Sequence, residues 1–425
     1  MISYNFIWVI AGCALIGAGA SLVGTFAFLR KKSLVGDAVA HALLPGVVLA
    51  FMLFGQKSLW VLFPGALIAG WLSLLSIEAI TTYSRIKSDT AIAIVLSVFF
   101  AIGIVLLTHI QQGQYGNQSG LDAFLFGKAA AMLPRDIYLF FAVDTVIIFL
   151  VLLFYPYLKL YAFDPEYASS VGLPVKWLSF LLSTLTVLAV ATGIQAVGVV
   201  LMAALIITPA AAARFLAGRL SQMLVWALIF GMTGAVGGVL ISYSAPSMPT
   251  GPWIVVLLSI MAILTFIFAP GKGLYNRYLI RSGHQKKITD ENIVKALYHL
   301  SNRGGKKRVS ITELTASRRF EGSKLEAGIK RLLKNNLIQR TGNKIELTEK
   351  GFQEGARVVR LHRLWELYLN VRMNIAEDHV HHDAEAIEHI ITPKLEAELI
   401  KELNYPVTDP HESEIPGIYQ NRSND

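Results

Sequence analysis

The sequence predicts a mainly α protein in two parts: a polytopic helical membrane bundle of about nine spans, then a charged helical part of soluble type. Three observations carry this. The 425 residues are 54% hydrophobic and only 16% charged, with a mean hydropathy of +0.52, which excludes a purely cytosolic enzyme. Residues 1–270 hold 12 Lys/Arg and 8 Asp/Glu, whereas residues 271–425 hold 26 and 21, so two different solvents shaped the two parts. The single cysteine, Cys13, lies in an apolar run, which excludes a disulfide framework and Cys-based zinc sites. The net charge of +9 is shared between the parts and singles out no basic domain.

In the first part, apolar runs long enough to cross a hydrocarbon core of about 30 Å fall near 8–29, 34–54, 58–80, 90–108, 137–156, 177–193, 195–213, 223–242 and 253–269. The first run has no basic leader and no small-residue cleavage site, so it reads as a retained span. Basic residues then set the orientation. Arg30 to Lys32, Arg85 and Lys87, Lys159 and Lys176, Arg214 and Arg219, and the cluster from Lys272 to Lys287 all fall on one side. That places the amino terminus outside and the charged second part in the cytoplasm. The uncharged loop from Gln111 to Gly120 then faces outward. Small residues at Gly17, Gly19 and Gly24, and at Gly231, Gly234, Gly237 and Gly238, predict close helix packing.

The second span opens with SLVGDAVAHALLPG, placing Asp37 and His41 four residues apart and so on one helical face. A carboxylate and an imidazole are two ligands for a divalent transition metal, and at membrane depth they are costly unless they line a water-filled path or bind something. A buried Asp–His hydrogen bond is the alternative. Pro45-Gly46 predicts a local break in the helix just beyond. Glu78, near a span end, reads as a capping or snorkelling residue, and Asp144 as a buried acid with no evident partner. On the cytoplasmic side, FDPEYASSVGLPV (163–175) predicts a short helix capped by Asp164, started by Pro165 and ended by Gly172. Such a helix suits docking to a cytosolic partner, or serves simply as a capped connector.

From residue 288 the pattern becomes amphipathic. Helices are expected over Ile288–Leu300, with Thr289 or Asp290 as cap, over Ser310–Ser317 and over Gly322–Asn336, and then two strands around a turn within Ile338–Thr348. Three helices and a hairpin is the order of a winged helix, whose third helix would offer Lys324, Lys330, Arg331 and Lys334 to phosphates, with Arg318 and Arg319 just before. A protein-docking face is the alternative. Six of the ten histidines lie between residues 362 and 411. His362 and Glu366 share one helical face, and Glu385, Glu388 and His389 share another. Carboxylate and imidazole without thiolate suit manganese or iron(II), with zinc also open.

The strings at Phe26–Val47, Leu121–Lys128, Phe163–Val175 and Ile194–Leu216 resemble the permease subunit of ATP-binding-cassette importers for manganese, zinc and iron, the type-3 metal permeases. The resemblance implies that Asp37 and His41 are metal ligands in the translocation path, that two permease copies pair, and that Asp164, Pro165, Glu166 and Gly172 mark the helix docking on an ATPase. It also implies an extracytoplasmic metal-binding protein. The chain has no G-x-x-x-x-G-K-[ST] loop, so ATP is expected on a separate subunit, and the chain itself is not an enzyme.

Residues 288–420, through Leu347–Gly351, Arg360–Leu369, Val380–Leu399 and Tyr405–Pro416, resemble the iron- and manganese-dependent repressors of the diphtheria-toxin-repressor family. This implies a winged helix followed by a helical dimerisation domain, with metal ligands at His362, Glu385, Glu388 and His389 and an accessory site at His381 and Glu366. The chain departs from that family at the first-helix ligand positions, which here are Asn292 and Lys295; a protonated lysine repels a cation. The expected domains are 1–271 (permease), 272–287 (basic linker), 288–350 (winged helix) and 351–425 (dimerisation and metal binding). The leading expectation is ATP-driven divalent-metal uptake with an attached domain that regulates transport or pairs the permease. A membrane-tethered metal-responsive transcription regulator is the rival.

Overall fold

The computed structural model describes residues 4–32, 34–56, 58–112, 127, 132, 134–244, 248–304, 307–375, 385 and 387–417. The chain divides into two compact units, residues 1–277 and 278–425. Eleven helices of the first unit are described: α1 (Tyr4–Leu29), α2 (Leu34–Phe54), α3 (Leu59–Tyr83), α4 (Ser88–Gln112), α5 (Pro134–Leu153), α6 (Tyr155–Phe163), α7 (Pro165–Ser170), α8 (Val175–Val197), α9 (Val199–Leu216), α10 (Leu220–Tyr243) and α11 (Thr250–Phe268). Eight of them are long and apolar enough to cross a membrane, and α9 is a shorter apolar helix. The protein is a multi-pass membrane protein.

Helix α1 lies at the centre, packed on α10, α9, α5 and α8, while α2 packs on α3, α4 and α9. Glycines make these approaches possible. A Cβ on Gly17 would stand 2.5 Å from the Gly231 carbonyl oxygen, and one on Gly65 would stand 2.5 Å from that of Gly46, so each pair is in backbone contact. The break expected at Pro45-Gly46 is not there, because α2 runs straight through Pro45. Pro45 only withholds the N–H that the His41 carbonyl would otherwise accept, and Gly46 serves the contact with α3. The boundary expected near residue 194 falls instead at Gly198, whose φ of +83° ends α8 and starts α9.

Helix α12 (Leu274–Gly304) begins shortly before the second unit and is continuous through nearly all of the expected basic linker. Thr289 and Asp290 are therefore interior residues and cap nothing. The Thr289 hydroxyl donates to the Gln285 carbonyl at 2.9 Å, and Asp290 accepts from Arg331. Helix propensity and docking of Ile293, Val294 and Leu297 outweigh a possible start at either residue. Strand β1 (Val309–Ser310), α13 (Ile311–Ser317), α14 (Gly322–Lys334), β2 (Ile338–Thr341) and β3 (Lys344–Leu347) complete a winged helix. Its sheet has the order β1-β3-β2, all antiparallel, with Val309 opposite Ile345 and Arg340 opposite Ile345 on the other side. Ser310 and Glu313 close a capping box on α13. Helices α15 (Glu349–Met373) and α16 (Pro393–Glu402) follow, packed through Leu361, Ile391 and Leu399.

Candidate metal centres

Asp37 lies in the first turn of α2 and His41 one turn later, with Oδ1 and Nε2 3.6 Å apart. That is too long for a hydrogen bond. The side chains are 33% and 21% exposed on a helix otherwise largely buried, so the pair is neither bonded to itself nor sealed away. Phe100 of α4 meets the imidazole edge-on, with centroids 4.9 Å apart at 86°, and fixes the ring plane. His41 Nδ1 is buried without a hydrogen-bond partner among the described residues. The arrangement presents one carboxylate and one imidazole nitrogen side by side at a surface of the chain. It can supply two ligands of a coordination shell whose remainder comes from elsewhere.

The other membrane acids behave differently. Glu78 is exposed and lines a cavity of about 270 Å³ with Arg30, Lys32, Thr81, Ser88 and Ser183. Asp144 is 4% exposed, presses on Gly19 of α1, and its Oδ2 finds no hydrogen-bond partner among the described residues.

Helix α7 is capped by Asp164, whose carboxylate accepts the Tyr167 amide at 2.9 Å, with Pro165 in its first turn and Gly172 at φ +86° just beyond. Glu166 lies in that first turn, where the helix dipole favours an acid. Most of Leu121–Lys128 lies outside the described residues, as does most of the Gln111–Gly120 loop.

In the second unit, α15 carries His362 and Glu366 on one face, with Nε2 to Oε1 at 3.1 Å. His362 Nδ1 meets Glu388 Oε2 at 2.5 Å. Glu388 also accepts from Lys295 Nζ of α12 with both oxygens, at 2.7 and 3.0 Å, and its side chain is fully buried. His389 Nδ1 lies 2.6 Å from Glu291, a residue the sequence reading did not single out, and Glu291 has Lys287 at 3.6 Å and Arg357 at 3.7 Å. Glu385 turns to Arg318 at 2.8 Å. Thus Glu388 and His389 lie together, with His389 Nε2 3.4 Å from Glu388 Oε1, while Glu385 turns away to Arg318. His381 lies outside the described residues. Asn292 Oδ1 is buried without a hydrogen-bond partner among the described residues.

Burial alone would lower the His362 pKa, but the bonds to Glu366 and Glu388 outweigh it and the value is raised. Burial alone would raise that of Glu388, but His362 and Lys295 hold it below the usual carboxylate value. Both ionised forms are thus favoured by protein partners. Among the described residues, no group of three or more His, Cys, Asp or Glu side chains is placed to hold a metal ion. The residues here do not fit a divalent cation as they stand, because protein cations already engage the carboxylates.

The winged helix is also more committed than its charges suggested. Arg331 binds Asp290 with two bonds, at 2.9 and 2.7 Å, and Lys324 pairs with Glu321 at 2.9 Å. Lys330 and Lys334 remain exposed. Arg331, of the set expected to face phosphate, is thus held by Asp290 within the domain.

A family model described as ABC 3 transport family matches residues 3–269, and one described as iron dependent repressor, metal binding and dimerisation domain, matches residues 348–417. The manganese transport system membrane protein MntC of Bacillus subtilis (strain 168) is 39% identical over 373 residues, covering 88% of this chain and 86% of its own. The zinc transport system membrane protein TroC of Treponema pallidum (strain Nichols) is 41% identical over 265 residues, covering 62% and 89%. Among solved structures, PsaBC from Streptococcus pneumoniae in complex with Fab superposes with a TM-score of 0.58 at 35% identity, covering 66% of this chain and 96% of that one.

Proposed function

Because the chain belongs to the ABC 3 transport family, we propose that it is the membrane permease of an ATP-driven importer of a divalent transition metal, manganese, zinc or iron. The observation that carries this reading is the open Asp37–His41 pair, two ligand side chains kept apart from each other on the buried helix α2. Two copies of the permease would bring two such pairs together and give a cation about four protein ligands, a full shell for zinc and, with water in the remaining positions, a partial one for manganese. Moderate affinity follows from a partly exposed site, as passage requires the ion to leave as well as enter.

ATP is bound by a separate ATPase subunit, docked on α7, where the Asp164 cap and the acid Glu166 hold a short rigid projection between α6 and α8. An extracytoplasmic metal-binding protein delivers the ion to the opposite face. The basic loops put the amino terminus outside and residues 278–425 in the cytoplasm. Closure of the ATPases moves the docked helices, and the pair of permeases opens to one side at a time. The repressor-like unit joins the permease copies or restrains transport.

The test is uptake of radioactive manganese or zinc by cells carrying the whole system with Asp37→Ala or His41→Ala. Uptake is expected to fall to background while the variants still copurify with the ATPase. Full uptake by both variants removes the assignment.

A further inference from the structure

Within residues 278–425, we propose that Lys295 is a built-in substitute for a metal ion, holding a carboxylate–imidazole cluster together in the absence of any divalent cation. Glu366 and Glu388 are each 2% exposed and share His362 between them. Two carboxylates this deeply buried need a cation beside them. The family model matching residues 348–417 describes a domain that binds metal. In this chain Glu388 has the Lys295 ammonium in hydrogen-bond contact with both of its oxygens, beside the His362 imidazole at 2.5 Å.

The substitution has two consequences. An ammonium spanning both oxygens closes Glu388 to a metal, and its charge repels a second cation. Lys295 and Glu388 are also 93 residues apart in sequence, so the contact ties α12, a helix of the winged-helix core, to the segment after α15 with no ligand required. His389 adds a second link to α12, its Nδ1 2.6 Å from Glu291, one turn before Lys295, and its Nε2 3.4 Å from Glu388. A link that elsewhere would form and break with metal is permanent here. This inference concerns the second unit alone and does not depend on the transport reading.

The experiment uses the full chain in detergent carrying Asp37→Ala and His41→Ala, so that manganese bound in the membrane unit does not contribute. Bound Mn(II) is counted by electron paramagnetic resonance, and thermal unfolding is followed with EDTA and with added Mn(II). The parent is expected to melt at the same temperature under both conditions. Adding Lys295→Ala is expected to create a site for about one further Mn(II) per chain, removed again by Glu388→Gln, and to make unfolding sensitive to EDTA. A parent whose melting drops in EDTA overturns the proposal. So does a Lys295→Ala chain that is folded by circular dichroism yet binds no more manganese than the parent. If Lys295→Ala folds only with Mn(II) present, the proposal stands. If it folds under neither condition, the EDTA response of the parent decides alone.

Discussion

Two carboxylate–imidazole pairs at the same helical spacing have opposite fates in this molecule. Asp37 and His41 stand 3.6 Å apart, partly exposed, and no Lys or Arg among the described residues is paired with Asp37. His362 and Glu366 stand 3.1 Å apart, buried, and join Glu388 and the Lys295 ammonium in one network. The difference teaches that an i, i+4 spacing names a ligand pair but does not say whether a metal can use it. That depends on which charges the rest of the fold brings to the same place.

The sharpest way to break this comparison is one chemical change made at both sites. Asp37→Asn is expected to abolish manganese or zinc uptake with no shift in melting temperature, because the carboxylate supports no internal contact stronger than the loose one to His41. Glu388→Gln is expected to leave Lys295 buried without its counter-ion and to destabilise the second unit by about 3–5 kcal/mol, read from chemical unfolding. Equal effects at the two sites in either assay would erase the contrast.

A second change makes the membrane pair more like the cytoplasmic one. Leu34 is 47% exposed and three residues before Asp37 on α2, so Leu34→Lys brings an ammonium to the same face. Uptake is expected to fall several-fold, by repulsion of the incoming cation, with the protein still assembled. Unchanged uptake would show that a neighbouring charge does not govern that site.

Smaller effects are expected away from both pairs. Asp164→Ala removes the α7 cap, costs about 1 kcal/mol of local helix stability, and should lower ATPase recovery on copurification. Arg331→Ala breaks a partly exposed pair with Asp290 and should cost no more than about 1 kcal/mol in the melting of the second unit.

Much of this was legible in the sequence, and the reason is local. Apolar runs of span length, the Asp164-Pro165 start of α7, the amphipathic helices and the hairpin of the winged helix are all written in contiguous residues. Eight long apolar helices and the shorter α9 stand where nine spans were expected. What could not be read depends on distant partners. The departure at Lys295 was visible, but its bond to Glu388 spans 93 residues, and the bond of His389 to Glu291 spans 98. The use of Gly46 as a contact point depends on Gly65 of α3, and the continuity of α12 through Thr289 on packing against the winged-helix core. A signal for Glu291 did exist, since it lies one helical turn before Lys295, but its value shows only when both ends of the contact are known.

The backbone contact between Gly46 and Gly65 bears on where the Asp37–His41 pair is held. With no side chain between them the two backbones meet directly, and a methyl group on either glycine would have to push α2 and α3 apart. The helix carrying Asp37 and His41 is therefore set by this contact, and a side chain added at Gly46 or Gly65 would shift the pair from its present place.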